Sequence, residues 1–215
     1  MYVGHLAAGF LLKSRVREAP LSLLLLATVL PDLLCGVLLV AGVEHVVVHG
    51  SVVYAHVEAD MGYSHSLLSV AAVAGLAFVF GRTRSGSVRV GAALGLAVLS
   101  HFVLDALSHR FDMPLVGFGS RHDFRVGTNL ALHPVWFFAV ESAWCFFAWM
   151  LFDSSNRRLL LAFLVLLALW SNSIFGFVPP PAASEAVFGV SMLASFAVAG
   201  FALAWAACSH SRRLR

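Results

Sequence analysis

Between residues 100 and 110, His101, Asp105 and His109 recur at i, i+4 and i+8. On a helix that spacing stacks the three side chains along one face. They close a long apolar run, where a histidine and a carboxylate are costly to hold in lipid and by default mark a function. Two such groups a turn apart can also grip one metal ion from one side. The bland alternative is a structural hydrogen bond between neighbouring turns. Which reading holds depends on whether the rest of the chain brings further ligands to the same place.

The 215 residues that must position these groups are 60% hydrophobic and 12% charged, with a mean hydropathy of +0.88. A soluble domain averages about 25% charged residues. The composition therefore indicates an integral membrane protein of one domain, residues 1–215. The net charge of +3 does not imply nucleic acid as a partner. The basic residues sit in short clusters between apolar runs, where topology requires them. Cys35, Cys145 and Cys208 form neither a C-x-x-C pair nor a disulfide framework. Residues 1–12 lack a basic n-region, so no cleavable signal peptide is expected.

The apolar runs predict an all-α fold, a polytopic membrane helix bundle of about six transmembrane helices with a short N-terminal helix at 1–12 that dips into the membrane or packs on the bundle. The crossings fall at 21–40 (interrupted by Pro31 and Asp32), 64–80, 90–107, 134–152, 159–178 and 186–208. Residues 1–141 are the site-bearing part, and 159–208 hold the C-terminal helices, where Asn172 is expected to make an interhelical hydrogen bond. Loops 13–19, 81–89, 153–158 and 209–215 are basic, and with six crossings they fall on one side, the cytoplasm. Loops 41–63 and 179–185 hold acidic residues and no Lys or Arg, and 108–133 is mixed.

Counting from the cytoplasmic boundary places the polar residues in depth. Asp32, His101 and Glu141 each lie at about 18 Å, Asp105 at about 24 Å and His65 at about 26 Å, given the helical rise per residue. His109 and His133 reach about 30 Å, and His5 about 12 Å. Four separate crossings thus contribute to one layer between mid-membrane and outer surface. Charges there need a shared cation, a proton or water. Each residue also has a plainer reading. Asp32 after Pro31 could cap a half-helix that restarts there, and His65 could rest in the headgroups. Glu141 has no basic partner on its helix, which points to the site or to a proton relay. His45, His49, His56, His122 and His210 are expected at the surface, and Arg110, Arg121 and Arg125 could bind phosphate or lipid headgroups.

The motifs His5 with Gly9, Leu30-Pro31-Asp32, Tyr63-Ser64-His65-Ser66-Leu67, Ser100-His101 to Leu104-Asp105 and His109-Arg110 to Asp112 resemble a group of bacterial integral membrane proteins. More distantly they resemble the YdjM-like inner-membrane proteins, described as membrane-bound metal-dependent hydrolases. That family runs His, then Pro-Asp, then His-Arg-Gly-x-Thr-His-Ser, then His-x-x-x-Asp, and the match covers roughly 1–112 in order. The resemblance implies His5, Asp32, His65, His101 and Asp105 as metal residues, in the inner (cytoplasmic) membrane of a bacterium. The chain departs at the third motif, where Asp60 and Met61 replace His-Arg; Asp60 can still bind a metal. The ordered ligand set is also similar to that of zinc phospholipase C and P1-type nucleases.

The leading expectation is a membrane-bound metal-dependent hydrolase with an outward-facing site, acting on a lipid or membrane-proximal ester or phosphoester. Its metal residues would be His5, Asp32, His65, His101, Asp105 and His109. Glu141 or Asp60 would act as general base or extra ligand. Mixed imidazole and carboxylate donors suit zinc, or manganese where oxygens dominate. The alternatives are a cation or proton transporter or channel, and a non-catalytic membrane protein with a structural metal.

Overall fold

A computed structural model of the chain describes residues 1–48, 57–117, 124–177 and 184–211. Eight helices account for nearly all of the fold: α1 (Val3–Arg15), α2 (Leu21–Thr28), α3 (Leu30–Val40), α4 (Leu67–Ser85), α5 (Val88–Ser108), α6 (Pro134–Asp153), α7 (Arg157–Phe175) and α8 (Glu185–Ser211). Among the described residues the bundle is all-α apart from two small antiparallel hairpins, β1 (His45–Val48) with β2 (Val57–Asp60) and β3 (Met113–Pro114) with β4 (Arg125–Val126). The first hairpin falls where the sequence reads only as a polar loop. Helices α4 to α8 are each long and apolar enough to cross a membrane. Helices α2 and α3, bent by 52° at their junction, make a sixth crossing when taken as one span. The chain is a membrane protein, and Leu76, Phe201 and Trp205 are among the large apolar side chains turned outward.

The bend in the first crossing has a local cause. Pro31 stands in the first turn of α3 and cannot donate to the preceding turn. The helix stops at Thr28 and restarts after Val29, which puts Asp32 in the first turn of the new helix. In lipid such a break persists only where neighbouring groups satisfy the freed backbone, and α5 supplies one.

Helix α1 runs inside the bundle. Val3, Leu6, Ala7 and Phe10 are fully buried, in one core with Leu159, Phe163, Phe196 and Leu203 of α7 and α8. Its first turn is held by Glu141 of α6, whose Oε1 accepts from the Tyr2 and Gly4 amides at 2.8 and 2.9 Å. A carboxylate at a helix N-terminus meets both the orphan donors and the dipole. Trp144 Nε1 donates to the Gly4 carbonyl at 2.9 Å.

Small residues set the tightest crossings, as is usual between helices in lipid. A Cβ on Gly91 of α5 would come within 2.7 Å of the Phe78 carbonyl oxygen of α4. One on Gly189 of α8 would come within 2.7 Å of the Gly36 carbonyl oxygen of α3. Helix α4 extends to Ser85 and stops at Gly86 (φ 69°), and α5 starts at Val88. The basic loop expected at 81–89 is thus a tight turn between two long helices. Helices α7 and α8 are tied at one end, where Asn156 Nδ2 donates to the Ala206 carbonyl at 3.2 Å.

Candidate metal centre

Four elements converge on one buried cluster. Helix α1 brings His5, the restarted α3 brings Asp32, the turn before α4 brings His65, and α5 brings His101 and Asp105. His101 Nε2 lies 3.0 Å from Asp105 Oδ2, 3.7 Å from Asp32 Oδ2 and 3.2 Å from His65 Nε2. His65 Nε2 lies 3.4 Å from Asp32 Oδ1 and 3.9 Å from Asp105 Oδ2. His5 Nε2 lies 3.1 Å from Asp105 Oδ1, and its ring stacks on that of His101 at 3.9 Å. Two overlapping groups result, His5–His101–Asp105 and Asp32–His65–His101, and within each the ligand atoms all lie within 4.8 Å of one another. His101 belongs to both.

The far side of two rings is already committed. His101 Nδ1 lies 2.8 Å from the Thr28 carbonyl, which can only accept, so that nitrogen carries the proton. The helix break at Val29 leaves this carbonyl to α5. Ser64 Oγ lies 2.7 Å from His65 Nδ1 and donates to Glu44 Oε2, also at 2.7 Å. With its own proton spent on the carboxylate, the hydroxyl accepts from Nδ1 of His65. In both rings the neutral form then leaves Nε2 as a bare lone pair. Two lone pairs facing each other at 3.2 Å, with two carboxylates beside them, repel unless a cation or a proton lies between. Orientation of a metal-binding histidine by a carbonyl or carboxylate behind it is the usual arrangement of such sites.

The donor set fits a divalent metal on two further counts. Among the described residues, His5 Nδ1 and Asp32 Oδ2 are buried with no hydrogen-bond partner, and buried polar atoms are ordinarily satisfied. The negative charge is also only partly balanced while the imidazoles are neutral. The ion pairs of Asp32 and Asp105 among the described residues are with imidazoles and the Met1 amino group, which sits 2.9 Å from Asp105 Oδ1. Buried charges without full compensation cost several kcal/mol each, by order of magnitude. A divalent ion among three imidazoles and two carboxylates would remove the repulsion and give Asp32 Oδ2 a partner; His5 would reach it through Nε2, the nitrogen that faces Asp105.

The remaining candidates stand elsewhere. His109 sits at the rim, 16% exposed, with Nε2 3.7 Å from Asp105 Oδ1 and Nδ1 3.6 Å from Asp112 Oδ1. Glu141 is fully buried, but its oxygens accept from Tyr2, Gly4 and Trp170, the last at 2.9 Å. It braces α1 and is not among the grouped ligands. Asp60 ends β2 in an exposed position, in register with His45. His49, His56, His122, Arg121, residues 179–181 and the side chain of His210 lie outside the described residues.

Glu44 and Ser64 take part although their residue types alone did not mark them. Glu44 is 1% exposed and accepts from the Tyr63 and Ser64 amides at 2.9 and 2.8 Å as well as from the Ser64 hydroxyl. An acidic residue in a polar loop looks solvated, and nothing local signals its burial. Ser64 had one signal, its place directly before His65.

A cavity of about 660 Å³ opens beside the cluster, a size common for small-molecule sites. His5, Asp32, His65, Asp105, His109 and Arg110 line its polar part; faces of α7 and α8, with Tyr2, Cys35 and Leu39 among others, line its apolar part. The chain matches no family model, no curated protein and no solved structure.

Proposed function

We propose that the chain is a membrane-embedded metal-dependent hydrolase that cleaves an ester or phosphoester of a lipid or of a molecule at the membrane surface. The observation that carries this reading is the buried convergence of His5, Asp32, His65, His101 and Asp105 from four elements of the fold, with Nε2 of His65 and His101 3.2 Å apart. The resemblance of the motifs to the YdjM-like hydrolases supports it. Three imidazoles and two carboxylates favour zinc, with manganese the oxygen-preferring alternative. A divalent ion held there would supply Lewis acidity and activate water.

The protein's own groups then handle the proton. His109, at the rim between Asp105 and Asp112, lines the cavity and is placed to take a proton from water. The water oxygen bonds to the phosphorus or carbonyl carbon, the ester bond breaks, and the departing oxygen receives the proton from His109. Glu141 and Asp60 are not needed for this. The basic clusters at 13–17, 82–89 and 157–158 orient the chain with its C-terminus in the cytoplasm. A bacterial inner membrane is the setting that the resemblance supports.

The test is metal analysis of the purified protein beside His101→Ala and Asp105→Ala, followed by turnover of a soluble phosphodiester with zinc or manganese. About one or more equivalents in the wild type, lost in both variants, with turnover that a chelator abolishes, is expected. Equal trace metal in all three defeats the reading. Bound metal without turnover on any ester leaves a structural metal.

A further inference from the structure

The cavity beside the cluster has an asymmetric wall. Its lining on α8 includes Phe188, Ser191, Ser195 and Val198, at i, i+3, i+7 and i+10, which is one helix face. Its lining on α7 is Leu166, Leu169, Trp170 and Ser173, again one face. The two helices are tied together at their Asn156–Ala206 end. The lining positions lie toward the other end, where the faces of the pair border open space.

This groove opens sideways. Leu169 is 69% exposed and Val198 67% exposed, yet both line the cavity. Both sit in the middle of helices long and apolar enough to cross the membrane, so the mouth faces the hydrocarbon. From Phe188 to Ala199 the groove runs for about 16 Å at the helical rise, close to half of the roughly 30 Å hydrocarbon thickness and hence to one leaflet. Tyr2 forms the junction between groove and cluster. Its ring stacks on Trp170 at 4.8 Å and packs on Phe196 at 4.6 Å, one residue before the helix that carries His5. At the polar part of the cavity Arg110 joins the lining next to His109, and a guanidinium is the side chain best suited to grip phosphate oxygens.

We infer that the groove between α7 and α8 is a lateral entry site for a phospholipid with an exposed anionic phosphate, its acyl chain along α8 and its phosphate at Arg110 beside the histidine–aspartate cluster. This rests on the hydrolase reading for the fate of the lipid, and it makes the substrate an amphiphile drawn from the bilayer. A water-soluble ester would need no apolar side entrance.

Photo-crosslinking of the whole protein in phosphatidylcholine nanodiscs tests it, using phosphatidic acid that carries a diazirine on its acyl chain, with metal content measured on the same samples. Label is expected on residues 169–173 and 188–199, displaced by unlabelled phosphatidic acid and not by added phosphatidylcholine. Ala194→Trp, which fills the groove from an exposed position on α8, should cut that label about ten-fold, as overfilling a fitted space does. Leu76→Trp on the outward side of α4 should not change it. Val198→Trp serves the same purpose as Ala194→Trp if the latter does not assemble. Arg110→Gln should abolish the preference for phosphatidic acid while acyl label in the groove persists. Label spread as heavily over α4 as over α8, or equal displacement by phosphatidylcholine, overturns the inference. Metal-loaded protein without groove label defeats this inference alone; metal-free protein with groove label defeats the hydrolase reading alone.

Discussion

His65 and His101 approach through their Nε2 atoms, 3.2 Å apart, while the opposite nitrogen of each ring is held by the protein. Thr28 holds one and the Ser64–Glu44 pair holds the other. Neither ring can flip without breaking a buried hydrogen bond, which costs about 1–3 kcal/mol for the group left unsatisfied. The geometry therefore presents two lone pairs to one point, and a cation there is the simplest partner.

The first prediction concerns the shared ligand. His101 belongs to both ligand groups, whereas His5 and His65 each belong to one. His101→Ala should strip bound metal more completely than His5→Ala or His65→Ala. Metal analysis after dialysis against a weak chelator reads the order. If His101→Ala retains as much metal as His5→Ala, the two groups do not share that ring as an ion-binding centre.

A second prediction separates holding a ligand from being one. Ser64→Ala removes the acceptor behind His65 Nδ1 and leaves Nε2 in place. Metal affinity should fall about 10–100-fold, the range for loss of such an outer partner, while saturating metal restores occupancy. Glu44→Gln should act in the same direction, since Glu44 fixes the Ser64 hydroxyl. Competition with a fluorescent zinc chelator gives the affinities. Unchanged affinity in both would mean that His65 is oriented by packing alone.

Much of this was legible in the sequence. Helical spacing put His101 and Asp105 on one face, and counting residues from the basic loops put Asp32 at the level of His101; the two now stand 3.7 Å apart. His5 was the outlier in depth, because counting assumed that its segment rises straight from Lys13 at the membrane edge. Instead α1 is packed within the bundle, which brings His5 to Asp105. Glu141 shared the depth of the cluster but not its direction, since depth says nothing about which way a side chain turns. Glu44 and the first hairpin were hidden for another reason. Loop residues carry no periodicity, and only the tertiary fold buries them.

The third prediction follows from Glu141. Its carboxylate accepts two amides at the start of α1 and the Trp170 indole. Glu141→Ala leaves three donors with no protein acceptor. Each such loss costs about 1–3 kcal/mol, so thermal stability in detergent should drop by several kcal/mol, again by order of magnitude. Because Tyr2 and Gly4 lead into His5, metal binding should weaken only as far as α1 shifts. Glu141→Gln keeps one acceptor oxygen and should lose less stability than alanine. A Glu141→Gln protein that is stable and metal-loaded yet inactive would instead place Glu141 in the chemistry.

The last prediction reaches the site through helix packing. Gly36 and Gly189 let α3 and α8 touch backbone to backbone, and α3 carries Asp32 one turn before Gly36. A Cβ on Gly189 would meet the Gly36 carbonyl oxygen at 2.7 Å, a contact that rigid backbone cannot absorb. Gly189→Ala must therefore push α8 and α3 apart by a few tenths of an ångström or more. Overpacking of this kind costs about 1–3 kcal/mol, and here part of the displacement falls on Asp32. Lower thermal stability and weaker metal binding should appear together. Gly75→Ala on α4, where a Cβ meets nothing within 4 Å, should lower neither. If Gly189→Ala loses stability with metal affinity intact, α3 is anchored at Asp32 independently of its contact with α8.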